Sequence, residues 1–171
     1  MSTGFSPQLG LADDDASRLG EDGATRIRTF RLVVLLAQRL RTLMDQQLRP
    51  DGLTTQQAAL ISVVDAIGEP SVSQAAAALA TTHQNVKQIA DALARKGFLE
   101  ITRDADDARV RRLTTTRKSR STWRRRSAAD QQSVLEWFST LSRDEAETLF
   151  QLLLRLESGV RAAFDAEVHT G

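Results

Sequence analysis

A chain of 171 residues with 41% apolar side chains can bury one compact domain, or a small domain carrying long appended helices. It has no cysteine and two histidines, which excludes disulfides, thiolate metal sites, cysteine-based redox sensing and a His-rich metal cage. The net charge of +1 hides a split, because residues 82–126 hold 13 Lys or Arg against 5 Asp or Glu while the remainder holds 10 against 17.

A positive block on an otherwise acidic chain is what a phosphate-binding surface gives, although an isolated run is more often a solvated charged face. The N-terminus lacks the basic-then-apolar pattern of a signal peptide. The longest apolar run, Leu32 to Ala37, is far below the ~20 residues a bilayer span needs. A soluble cytoplasmic protein with no membrane partner is expected.

Residues 1–23 are rich in Gly, Ser, Asp and Ala without an apolar period, and read as a disordered tail. Asp13-Asp14-Asp15 within it lacks the spacing of a metal loop. Thr25 to Leu48 reads as a long helix. Ile27, Phe30, Val33, Leu36, Leu40, Leu43 and Met44 form one stripe, and Val34 and Leu35 widen the apolar surface beyond it. That surplus predicts two contacts, one within the chain and one with a second copy.

Pro50-Asp51-Gly52 ends the helix, and Thr54 with Gln57 opens the next with the spacing of a capping box. Its inward face is Ala58, Leu60, Ile61, Val64 and Ile67. Gly68-Glu69-Pro70 breaks it. Ser71 with Gln74 is another capping box, before a short alanine-rich helix from Ala75 to Ala80 with Leu79 as its anchor.

A tight turn then leads into a third helix. Thr81 with Gln84 reads as its cap, and Gly97 as its left-handed stop. Val86, Ile89, Ala90 and Leu93 make the buried face, while His83, Gln84, Lys87, Gln88 and Asp91 lie opposite. After Gly97 the period changes. Phe98 to Thr102 reads as a strand, Asp104 to Ala108 as a polar turn, and Arg109 to Thr115 as a returning strand. A helix, a glycine and a two-stranded basic flap read as a winged helix, and a helix of this width fits a DNA major groove.

Ser119 to Ser139 reads as a helix, strongly basic at its start, with Trp123, Val134, Leu135, Trp137 and Phe138 as its apolar residues. Its Arg124-Arg125-Arg126 run is read as solvated or paired with acids rather than as a DNA contact. Ser142 with Glu145 caps a last helix running to Phe164, with a stripe of Leu149, Leu153, Leu156, Val160 and Phe164. Phe150, Leu152 and Leu154 spread beyond that stripe, again more apolar surface than one small domain can cover.

The ordered set of these features resembles the MarR family of winged-helix transcription regulators. It comprises a helix start at Leu53-Thr54, Leu93-Ala94-Arg95-Lys96-Gly97 closing the helix-turn-helix, and Asp107-Ala108-Arg109 at the wing tip. The resemblance runs from about Arg26 to Phe164. One departure stands out. Where the family has Leu-Thr and then a glycine two residues on, this chain reads Thr115-Thr116-Arg117-Lys118-Ser119. With no clean apolar alternation in Val110-Arg111-Arg112-Leu113, the pattern leaves the register of the second wing strand open.

The resemblance implies a mainly α fold with a small β-wing. Residues 49–118 form the winged helix-turn-helix domain, and 24–48 and 119–168 form dimerisation helices. It implies a homodimer on double-stranded DNA, reading an inverted repeat. Gln84, Asn85, Lys87 and Gln88 would face the major groove, with Thr82 and His83 at the helix start near a phosphate. Arg109 would enter the minor groove, Arg103, Arg111 and Arg112 would lie near the DNA backbone, and Asp107 would brace the wing arginine. A small aromatic effector of the kind the family often binds would be lined by Phe30, Trp123 and Trp137, while a regulator with no small-molecule ligand is equally compatible and the tryptophans read first as packing residues. No cofactor or metal is implied. No Ser-His-Asp order, metal-ligand spacing or phosphate-binding glycine loop appears, so an enzyme is not expected. A non-specific architectural DNA binder and a helical module for protein or anionic membrane surfaces are the alternatives.

Overall fold

A computed structural model describes the backbone from Asp14 to Val168 and the side chains of residues 20–163. Among the described residues six helices and one hairpin follow in order: α1 (Asp14–Leu48), a 3-10 turn (Arg49–Asp51), α2 (Thr55–Ile67), α3 (Val72–Ala78), α4 (His83–Arg95), β1 (Leu99–Arg103), β2 (Arg111–Thr115), α5 (Arg117–Trp137) and α6 (Arg143–Val168). The chain divides into two compact units between Thr122 and Trp123, inside α5. Among the described residues no helix is long and apolar enough to cross a membrane, and no cluster of His, Asp and Glu could hold a metal.

The first helix corrects one expectation. It begins at Asp14, so residues 14–23 of the expected tail are helical. Two glycines lower the helical signal there, but Gly20 is where the helix steps out of register, at φ 68° and ψ 168°, a conformation open essentially to glycine alone. The expected disorder of residues 1–13 lies outside the described residues, as do the Phe164 side chain and His169.

The core of the first unit is built where the helical periods meet. Leu60, Ile61 and Val64 of α2, Ala75 of α3, Val86, Ala90 and Leu93 of α4, and Leu113 of β2 are all at most 2% exposed. Ile67, expected inward, is half exposed at the end of α2, and Ile89 is only half-buried. The helix α3 starts at Val72 rather than Ala75, and Val72, Ala75 and Ala76 anchor it while Leu79 stays partly open.

Caps set the remaining boundaries. Thr54–Gln57, Ser71–Gln74 and Ser142–Glu145 form reciprocal capping boxes as their spacing predicts. The cap of α4 is Thr82, not Thr81, and its hydroxyl accepts from the Asn85 N–H at 3.2 Å. The Thr81 N–H is already used to close α3 on the Ala76 carbonyl, after Ala80 turns at φ 47°, so the helix starts one residue later. Gly97 stops α4 at φ 74°, with Phe98 N–H returning to the Leu93 carbonyl at 2.9 Å. The Thr116 hydroxyl accepts from Ser119 N–H, so α5 begins at Arg117, two residues before the expected start.

The wing is an antiparallel pair in which Leu99 faces Thr115, Ile101 faces Leu113 and Arg103 faces Arg111. The first strand reaches one residue nearer the tip than expected, and the second begins two residues later than expected, so Arg109 falls in the turn. Ser71 bridges Arg112 on the outer edge, so the corner between α2 and α3 runs beside β2 as a short third rung.

In the second unit, Phe150, Leu152, Leu153, Leu154, Leu156 and Val160 of α6 are 42–61% exposed. On α1, in the first unit, Phe30 and Val34 are 65% and 53% exposed. This is the apolar surplus that the two helical stripes predict.

Candidate nucleic-acid interface

The exposed side of α4 carries two adjacent stripes. His83, Lys87 and Asp91 follow one another at i, i+4 and i+8, and Gln84 and Gln88 run beside them about 100° around the helix. All five side chains are exposed, and none of their side-chain polar groups makes a hydrogen bond or ion pair among the described residues. Thr82 spends its hydroxyl on the cap. Asn85 is half-buried and donates one amide N–H to the Thr81 hydroxyl at 3.0 Å, so its side-chain carbonyl oxygen and its second amide N–H are left to a partner.

The first stripe faces the wing across an open cleft of about 370 Å³. His83, Lys87, Ala90 and Asp91 form one wall, Ile101, Arg109, Val110 and Arg111 the other, and the Ser71–Ser73 segment the end. Its lining carries the basic side chains of Lys87, Arg109 and Arg111 and the acidic one of Asp91. Arg103 and Arg111 are cross-strand partners, and directly opposed residues of a hairpin share a face. Two like charges opposite one another destabilise a hairpin, and neither guanidinium has a carboxylate partner among the described residues. An anion bound between them would offset that repulsion.

The wing tip is organised by Asp104, which pattern reading missed. Its Oδ1 accepts from the N–H groups of Asp106 (2.9 Å) and Asp107 (3.1 Å), and its backbone N–H donates to the Val110 carbonyl. The signal was available, since an aspartate followed by two backbone donors two and three residues on makes an Asx turn. The Arg112 Nε donates to Asp104 Oδ2, and this hydrogen bond, followed by those from Asp106 and Asp107, holds the Asp104 carboxyl below its usual range. Asp107 does accept an N–H near the tip, but it is the backbone N–H of Arg109, at 2.9 Å. The Arg109 guanidinium has no partner among the described residues.

Two lysines fix the far end of α4. The Lys96 Nζ donates to the Gly52 carbonyl at 2.6 Å and to Gln57 Oε1 at 2.9 Å. Lys118 Nζ donates to the Lys96 carbonyl at 2.7 Å and stands 4.6 Å from the centre of the Phe98 ring. The helix that presents the stripes is thereby tied to the start of α2 and to the start of α5.

The aromatic residues expected to meet an effector are placed as follows. Phe30 is exposed on α1, and Trp123 and Trp137 are partly exposed on α5. Fourteen residues separate the two indoles, about 21 Å along one helix axis, so a single-ring molecule reaches one of them and not both. In the basic run of α5, Arg126 pairs with Asp130 at 2.8 Å.

Residues 51–110 match the MarR family model. No curated protein matches the chain. Among solved structures, a MarR protein from Peptoclostridium difficile superposes with a TM-score of 0.74 at 17% identity, covering 80% of this chain and 89% of its own. A single-site mutant of MarR from E. coli complexed with operator DNA gives 0.72 at 20% identity, over 77% and 95% of the two chains. The MepR–DNA complex from S. aureus gives 0.69 at 21% identity, over 75% and 95%.

Proposed function

We propose that this chain, whose residues 51–110 match the MarR family model and whose fold is that of MarR regulators, is a homodimeric transcription regulator that binds double-stranded DNA sequence-specifically. The observation that carries the proposal is that α4 sets an unsatisfied amide stripe, Gln84 and Gln88, beside the His83, Lys87 and Asp91 stripe that faces the basic wing across one cleft.

Gln84 and Gln88 have the donor and acceptor pair that matches an adenine edge in the major groove, with Lys87 beside them and the side-chain carbonyl of Asn85 behind. Thr82 and His83, at the helix start, meet the sugar-phosphate chain that enters the cleft. Arg103 and Arg111 hold phosphate oxygens, which removes their mutual repulsion. Arg109, at the tip and without an internal partner, reaches the minor groove.

The exposed apolar side chains of α1 and α6 supply the dimer. Each 100 Å² of such surface hidden between two copies contributes about 2.5 kcal/mol before entropy costs. Two recognition helices then lie about 34 Å apart and read an inverted repeat.

The test is a titration of DNA selected by the purified protein against scrambled DNA over a range of salt. Tighter binding of the selected sequence at every salt is expected. Equal affinity throughout removes the sequence-specific part and leaves a non-specific architectural binder.

A further inference from the structure

The charge block makes all the wing arginines look alike, but the pleat separates them. Neighbouring residues of a strand point to opposite faces. Arg111 lines the cleft and Arg112 does not. On the outer face Arg112 meets three acceptors from three segments. Its Nε donates to Asp104 Oδ2, in the wing turn. Its Nη1 lies 3.3 Å from Gln74 Oε1, in the capping box of α3, and 3.4 Å from the Glu69 carbonyl, in the corner after α2. Gln74 Oε1 is also the acceptor that closes the box on Ser71 N–H, at 2.8 Å.

The backbone makes the same junction. Leu113 N–H donates to the Pro70 carbonyl at 3.0 Å, beside the Ser71–Arg112 bridge. Glu69 itself sits at φ 47°, so the corner is held in a conformation that non-glycine residues seldom adopt. The Asp104 side chain is 14% exposed and that of Arg112 36%. A phosphate would have to displace a carboxylate that already organises the wing turn.

We infer that Arg112 is a positioning residue, which clamps the wing turn to the α2–α3 corner and so aims Arg109, instead of gripping the DNA backbone. The aim of Arg109 rests on the DNA-binding reading above, but the clamp does not.

Four substitutions, R112A, R112K, D104N and R109A, separate the two roles. In a grip, R112K keeps the charge and keeps most of the affinity, and D104N strengthens binding by freeing Arg112 and removing an anion. In a clamp, lysine lacks the planar fork that reaches acceptors in two directions. R112K and D104N then weaken binding of selected DNA as R112A does, each by roughly the factor that R109A costs, and R109A adds little in the R112A background. Protection of the major groove by α4 is retained in all of them.

The clamp is read without DNA by amide exchange. The Asp106 and Asp107 N–H groups, which donate to Asp104, should exchange faster in R112A and at the wild-type rate in R111A. Unchanged exchange in R112A, or a D104N variant that binds DNA more tightly than wild type, overturns the inference. A wild-type protein without DNA preference would instead overturn the proposed function, leaving the exchange result to decide the clamp.

Discussion

Thr55 donates twice to a single oxygen of Asp45. Its backbone N–H lies 2.6 Å and its hydroxyl 2.7 Å from Asp45 Oδ1. Asp45 is in the last turns of α1 and Thr55 is the first residue of α2, so this carboxylate joins the two helices and satisfies a free N–H at the start of α2. Negative charge there also faces the positive end of the helix dipole.

The consequence for stability has a definite sign. The Thr55 N–H first, then its hydroxyl, and the nearby Arg41 charge hold the Asp45 carboxyl below its ordinary 3.8, against burial, which raises it. A lowered folded-state value means the stabilisation is present above the unfolded value and is lost as pH falls through the folded one. Asp45→Asn keeps an acceptor oxygen and removes the charge, so it should cost about 0.3–1 kcal/mol at pH 7, the range for an anion at a helix N-terminus. The gap between wild type and variant in denaturant unfolding should narrow as the pH drops below the ordinary carboxylate value. A gap that stays constant over that range would mean that the charge is not what matters.

Base reading and phosphate grip should separate on mutation. Gln88→Ala is expected to relax preference at one base position, worth about 1–3 kcal/mol there, and to leave the salt dependence alone. Arg111→Ala should weaken binding to all sequences alike and lower the salt slope by about 1. Binding titrations on single-base variants across salt distinguish the two. Identical behaviour of the two proteins would refute the division.

Asp91 is the one anion lining a cleft that also carries Lys87, Arg109 and Arg111. Its charge repels any phosphate that enters, whatever the sequence. Asp91→Asn should therefore tighten scrambled and selected DNA by about the same factor and leave their ratio unchanged. A gain for only one of them, or no gain, would show that Asp91 does not act as a sequence-independent repulsion.

How far the sequence can be read depends on what each element is set by. The helix α4 is legible because one period and one glycine define it, and Val86, Ala90 and Leu93 are fully buried as that period requires. Its cap falls one residue past the expected position because Thr81 and Thr82 are equally able to cap. The choice falls to the end of α3, where Thr81 N–H is already engaged. The helical start of α1 is hidden by Gly20 and Gly23, since composition weighs propensity and not where a kink is tolerated. The wing register is fixed by the Asp104 turn, which has no apolar alternation to announce it. The separate roles of Arg111 and Arg112 follow only from that register.

Ser119 is 1% exposed in the first turn of α5, and its hydroxyl is the one buried side-chain polar atom without a hydrogen-bond partner among the described residues. Its contribution to the helix start, the N–H to Thr116 Oγ1, is made by the backbone. A buried hydroxyl left unpaired costs about 1–3 kcal/mol, and alanine is also the better helix former. Ser119→Ala should raise the unfolding midpoint by a few degrees without changing DNA affinity. A clear loss of stability would show that the hydroxyl has a partner, such as an ordered water, that sustains it.

The proposed dimer can be tested on a helix remote in sequence from the proposed DNA contacts. Leu156 and Val160 of α6 are 47% and 61% exposed in the single chain, four residues apart and so on one face. A charged side chain costs little at a position that stays in water and several kcal/mol at one that a second subunit covers without a counter-charge. Leu156→Glu with Val160→Glu should shift sedimentation from dimer to monomer while the helical content is kept. A monomer presents one recognition helix, so affinity for a full inverted repeat should fall towards that for a half-site, and the wild-type preference for the repeat should vanish. An unchanged sedimentation coefficient in the double variant would place the subunit contact elsewhere. A monomer that still prefers the inverted repeat would remove the need for paired subunits altogether.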